Sequence, residues 1–238
     1  MEIVRLKGVK KSFGSQIVLD GIDITINSGR ITCLIGASGS GKTTILRLIA
    51  GLDVPDDGEI YIENKVASEA NKLLIPPHKR GVGFIFQDLA LWPHLNVFEN
   101  IAFGLRVKKE KEISKKVHKV AKDFNIEDLL KRFPDELSGG QQQLVAIARS
   151  LVVKPKILLM DEPFSSLDVK IKAQMHKFLR NLLKKYFITI IYVTHDHKEA
   201  ILLSDEVAIL HKGKIVEKAS SEEIITSQNK FVKDFLEL

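Results

Sequence analysis

Gly36, Gly41, Lys42 and Thr43 stand at the spacing G-x-x-x-x-G-K-T within the stretch GASGSGKTT. That pattern suits a phosphate. Glycines let successive backbone N–H groups converge on an anion with no Cβ in the way, the lysine reaches β and γ phosphates, and the threonine hydroxyl offers itself to Mg2+. Ala37, Ser38, Gly39 and Ser40 fill the loop, and Thr44 lies in the opening turn of a helix whose positive end faces the same anion. A second group is ILLMDEP, where Asp161 and Glu162 close an apolar run. Ligands of open α/β sheets bind at such strand ends. Asp161 can hold Mg2+, usually through water, and Glu162 can orient, or take a proton from, the water that attacks a γ phosphate. A third group is Ser138, Gly139, Gly140 and Gln141 in LSGGQQQLVAIARS, at the start of a helical pattern. Such a start is either a plain helix cap or a second anion site with its donors facing outward.

These groups need a scaffold that places strand ends beside loops. Up to about Gly29 apolar and polar positions alternate, as in Ile22, Ile24 and Ile26, which predicts antiparallel sheet turning at FGSQ and NSG. RITCLIG then runs into the first loop, and TTILRLIAGL follows with helical spacing to a C-cap at Gly51. Strand, phosphate loop and helix in that order open a parallel α/β core. GEIYIENKV reads as one further alternating strand after the turn VPDDG. From about residue 88 to 154 the pattern is helical, with Ile113, Val117, Val120 and Phe124 on one face of KEISKKVHKVAKDF. KILLMDEP and FITIIYVTH are continuous apolar runs of the kind covered on both faces in parallel sheets. DEVAILHKGKIVEK reads as a hairpin turning at Lys212 and Gly213, and short helices finish the chain. The expected fold class is therefore α/β, a mixed β core with an antiparallel β part and a helical insertion. Residues 1–87 and 155–238 form the core in this division of a single domain.

The chain has 238 residues, 45% of them hydrophobic, enough for a substantial core. Its formal charge of +6 suits an anionic ligand or membrane face without selecting either. The single cysteine, Cys33, rules out an internal disulfide and fits a reducing compartment as a small core residue. No window approaches the roughly 18 consecutive apolar residues of a spanning helix, and the amino terminus lacks a signal-peptide layout. The expectation is a cytosolic chain that meets a membrane only through a partner.

LSGGQ between a glycine loop and a D-E strand resembles the signature of the ATP-binding-cassette ATPases, and the order of motifs matches that family over nearly the whole chain. The resemblance implies an ATPase using ATP and Mg2+ as a head-to-tail homodimer, each ATP clamped between the first loop of one copy and the Ser138–Gln141 turn of the other. It implies further roles. Phe13 in KSFGSQIVL falls where an aromatic stacks on adenine, and Gln87 in FIFQD resembles the glutamine that senses Mg2+ and the γ phosphate beside the membrane subunit. Asp168 in SSLD resembles the aspartate that reaches across the dimer, and His195 in VTHD the histidine that contacts the γ phosphate. Leu144 stands where this group commonly has arginine.

ALWPHLNVFENIAFGL, from Ala90 to Leu105, resembles cassettes of importers for sugars, polyamines, iron and sulfate. The implied partners are integral membrane permease subunits and an extracytoplasmic solute-binding protein, with the chain on the cytoplasmic face. Relatives of that group often carry a carboxy-terminal regulatory domain, which a chain ending at Leu238 is expected to lack. An exporter or lipid-system cassette is the nearest alternative. Soluble cassettes of repair or translation usually have paired cassettes, coiled-coil insertions or basic segments, none of which is present, so no nucleic-acid partner is expected. A small-molecule kinase or GTPase leaves LSGGQ unexplained.

Overall fold

The structure is a computed structural model that describes residues 1–165, 167 and 169–236. Along the chain run β1 (Glu2–Phe13), β2 (Gln16–Asn27), β3 (Ile31–Ile35), α1 (Lys42–Ala50), β4 (Asp57–Ile62), β5 (Lys65–Glu69), β6 (Lys72–Leu73) and β7 (Val82–Ile85). Then follow α2 (Val97–Val107), α3 (Ile113–Asp123), α4 (Gly139–Leu151), β8 (Ile157–Asp161), α5 (Val169–Tyr186), β9 (Thr189–Val193) and α6 (His197–Leu203). The hairpin β10 (Glu206–His211) and β11 (Lys214–Ser220) and the helices α7 (Ser221–Ile225) and α8 (Lys230–Leu236) complete it.

Two sheets result: an antiparallel one in the order β2-β1-β4-β5-β6, and one in the order β11-β10-β3-β9-β8-β7. The second is parallel except for β11, which pairs antiparallel to β10. Because successive side chains of a strand point to opposite faces, each central strand feeds two cores. Cys33, Leu158, Met160, Ile190 and Tyr192 pack with the helices α2 to α4 on one face. Leu34, Leu159, Ile191 and Val193 pack with α1 and the antiparallel sheet on the other. Burial on both faces is why β3, β8 and β9 are buried at every position and apolar at all but Thr32, Asp161 and Thr189.

The helical face expected in α3 is observed: Val117, Val120 and Phe124 are buried and Ile113 packs against them. GEIYIENKV departs from the expectation of one strand. Glu63 and Asn64 take φ of 49° and 61°, so the chain reverses there and Tyr61 pairs with Val66 across a hairpin. Two successive left-handed residues match the right-handed twist of the flanking strands, which alternation alone does not reveal. Lys212 and Gly213 make the corresponding turn of the β10–β11 hairpin, as expected.

Candidate functional site

The loop from Gly36 to Gly41 links the carboxyl end of β3 to α1. β10 approaches so closely that a Cβ on Gly36 would lie 2.2 Å from the Leu210 carbonyl oxygen. Gly39 and Gly41 take φ of 75° and 105°, a region open chiefly to glycine. Lys42 folds back over the loop, its Nζ donating to the carbonyls of Gly36 at 2.8 Å and Ala37 at 3.0 Å. Burial lowers its pKa, while Glu162 and Asp161 pull the other way. Ser40 Oγ is buried and has no hydrogen-bond partner among the described residues.

β8 delivers the acidic pair to the same place. Thr43 Oγ1 donates to Asp161 Oδ1 at 3.0 Å. Burial raises the Asp161 pKa, and the Thr43 bond opposes the shift. Glu162 follows in a left-handed conformation, φ 44°, with its N–H donating to the Val193 carbonyl at 3.0 Å. Its Oε2 lies 2.9 Å from Nδ1 of His195, on the turn after β9. Phe13, Gln87, Lys42, Thr43 and Glu162 line one cleft of about 350 Å3, together with Gln16 and Val18 of β2. Phe13 presents a half-exposed ring at the cleft edge, with Lys11 Nζ 5.5 Å from the ring centre. A larger hollow of about 520 Å3 on the antiparallel sheet is shallow, lined by both signs of charge, and holds none of the motif residues.

Ser138, Gly139, Gly140 and Gln141 do not line this cleft among its described residues. They start α4, where Ser138 closes a capping box: its N–H donates to Gln141 Oε1 at 2.9 Å, and its Oγ accepts from Gln141 N. Ser138 and Gly139 are exposed. Asp168 lies outside the described residues.

The structure adds residues that motif reading missed. Gln143 of α4 donates to the Pro163 carbonyl at 2.7 Å, tying the helix after the signature to the segment that carries Glu162. Arg149, near the end of α4, donates to the carbonyls of Leu89 at 2.7 Å and Ala90 at 2.6 Å, just beyond Gln87. Leu89 and Ala90 both have positive φ, so the arginine secures a strained bend. Leu144 is partly buried and packs against the main core, an apolar role open to leucine. Glu199 is buried against three donors behind His195. Burial disfavours its charge, yet the bonds from His176, Thr194 and Tyr192 hold its pKa below the usual value. The D-x-x-E spacing of Asp196 and Glu199 is a signal for a helix start, with Asp196 capping α6, and encodes nothing of that cluster.

The family model described as ABC transporter matches residues 19–165. This chain belongs to the ABC transporter family. Among curated relatives of this cassette, a spermidine/putrescine import ATP-binding protein, PotA, of Clostridium acetobutylicum is 44% identical over 98% of the chain and 66% of the relative. A sulfate/thiosulfate import ATP-binding protein, CysA 2, of Shewanella oneidensis is 40% identical, again over 98% and 66%. The chain thus spans just under two thirds of the length of these relatives. The crystal structure of a nucleotide-free ATP-binding cassette from an ABC transporter superposes with a TM-score of 0.84 at 28% identity, covering 99% of this chain and 98% of the other. The cassette fold expected from the motif order is the fold observed.

Proposed function

We propose that this cassette hydrolyses ATP to drive solute import, working as a head-to-tail homodimer beneath membrane permease subunits that receive solute from an extracytoplasmic binding protein. The observation that carries the proposal is one cleft lined by Lys42, Thr43, Gln87 and Glu162, with Asp161 bonded to Thr43 and His195 to Glu162. The relatives named as import proteins for polyamines and sulfate support the direction of transport. The proposal places the chain against a permease on the cytoplasmic face; among the described residues no helix is long and apolar enough to cross a membrane. Half-exposed Phe103 and exposed Val107 on α2 offer apolar contact beyond Gln87.

Within the cleft, the amides of residues 37–44 and Lys42 would hold the phosphates, and the Phe13 ring would stack on adenine. The cradle fits that substrate: Gly36 admits no side chain, and Ser40 Oγ is a buried hydroxyl with its hydrogen-bonding capacity unused. Thr43, Asp161 and Gln87 are oxygen donors of the kind Mg2+ selects, with Thr43 already on Asp161. When bound, Mg2+ would neutralise charge on the β and γ phosphate oxygens. Glu162 would take the proton of the attacking water as the bond between the γ phosphorus and the ADP oxygen breaks, and His195 would steady Glu162 and meet the γ phosphate. Ser138, Gly139, Gly140 and Gln141 of a second copy would complete the pocket, with Asp168 reaching across. The exposed position of Ser138 and Gly139, away from this chain's own cleft, supports that sharing.

Glu162→Gln tests the mechanism. With ATP the variant should accumulate as a stable dimer in size exclusion and turn over at least about a hundredfold more slowly. A variant that stays monomeric at saturating ATP refutes the shared pocket.

A further inference from the structure

His195 stands on a turn between β9 and α6, more than half exposed, and something must hold it beside Glu162. The residues on either side of it meet at one hydroxyl. Thr194 Oγ1 accepts from Asp196 N at 3.1 Å and donates to Glu199 Oε2 at 2.5 Å. Glu199, 6% exposed, also takes bonds on Oε1 from Tyr192 OH of β9 at 2.6 Å and from Nε2 of His176 of α5 at 2.7 Å. Phe164, two residues past Glu162, packs its ring 6.1 Å from Tyr192 and 6.0 Å from His176.

The carboxylate does more than start a helix. Capping α6 uses the Asp196 side chain and the Glu199 backbone N–H, at 3.0 Å, and leaves the Glu199 side chain without a part in it. A carboxylate is acceptor-only, which suits three converging donors, whereas an amide would turn its own N–H groups toward them. Burying a charge is costly unless it is fully hydrogen-bonded, as this one is.

We propose that Glu199 is a positioning residue for hydrolysis, fixing His195 against Glu162 through Thr194 and tying that turn to α5 through His176. The proposal rests on the function proposed above. It makes α5, which starts directly after Asp168 in sequence, a mechanical neighbour of the His195 turn.

The test is a double-mutant cycle on the full chain, reading steady-state ATP turnover, nucleotide affinity and thermal melting. Wild-type turnover and its loss in His195→Ala are measured first; if either is absent, the proposed function fails rather than this inference. Glu199→Gln should lower kcat by about ten- to a hundredfold, the scale of a misplacement of about 1 Å, with KM for ATP unchanged within about twofold. In the His195→Ala background the same substitution should cost nothing further. Thr194→Val, which keeps the volume and deletes both hydroxyl bonds, should reproduce the loss and the non-additivity, and it decides the matter if Glu199→Gln does not fold. Losses that multiply in the double variants, or an unchanged kcat in Thr194→Val, would overturn the proposal.

Discussion

Among the described residues Arg80 is the one buried arginine, 4% exposed, and its hydrogen bonds go to five acceptors, none of them a carboxylate. It donates to the carbonyls of Leu48 and Ile49 at the end of α1, of Ile75 and Ala67, and to Ser68 Oγ. It therefore clamps the far end of the helix whose start would read phosphate. Burial pushes its guanidinium down to about 10 from 12.5. At about 1.4 kcal/mol for each tenfold change, that is a cost of roughly 3 kcal/mol at neutral pH. Arg80→Met keeps the volume and takes the donor from the Ile49 and Ile75 carbonyls and from Ser68 Oγ, at about 2 kcal/mol each, while the Leu48 and Ala67 carbonyls keep backbone donors. Less the burial cost that disappears with the cation, the expected loss is about 3 kcal/mol. Urea unfolding followed by far-UV circular dichroism should show a lower midpoint at unchanged slope. The melting temperature should fall by about 6–12 °C for a chain of this size. Arg80→Lys, a point charge with fewer donors, should recover only part of the loss. A loss below about 1 kcal/mol for Arg80→Met would refute the clamp.

Gly36→Ala drives a methyl group into the Leu210 carbonyl oxygen and should weaken nucleotide binding by at least about tenfold, measured with a fluorescent ATP analogue. Phe13→Leu should weaken ATP by about fivefold, roughly 1 kcal/mol, with kcat kept, while Phe13→Tyr binds as the parent does. Glu206 carries a charge that burial opposes, but the bonds from Lys218 and Asn27 and the field of Arg30 hold its pKa below the usual value. Its contribution to stability is therefore complete above the unfolded carboxylate pKa and fades as pH falls through the lower folded one. Glu206→Gln should cost more stability at pH 7 than at pH 3, read from urea midpoints at the two values.

The parts of the fold that sequence disclosed are those where a single pattern has one physical solution. A glycine loop between an apolar run and a helical pattern leaves Gly36, Lys42 and Thr43 little choice of position. The four consecutive apolar positions of β8, Ile157 to Met160, or of β9, Ile190 to Val193, require cover on both faces. The Glu63–Asn64 reversal escaped because side-chain alternation continues through a tight hairpin and hides it. Glu199 and Arg149 escaped for another reason. Their partners lie on other elements, His176 and Tyr192 for one and Leu89 and Ala90 for the other, and no local spacing encodes contacts that the fold alone creates. Leu144 marked a departure from a family pattern, and only the packing around it gives that departure a physical meaning.

Under the proposed role of Glu162 in hydrolysis, its left-handed backbone sets a limit on how heat-resistant this chain can become while it still works. A residue with a Cβ in that conformation gives up about 1–2 kcal/mol that glycine would return. Selection for survival at high temperature alone should therefore favour discarding this side chain early. Lineages pressed for both heat and turnover must find their reinforcement elsewhere in the molecule.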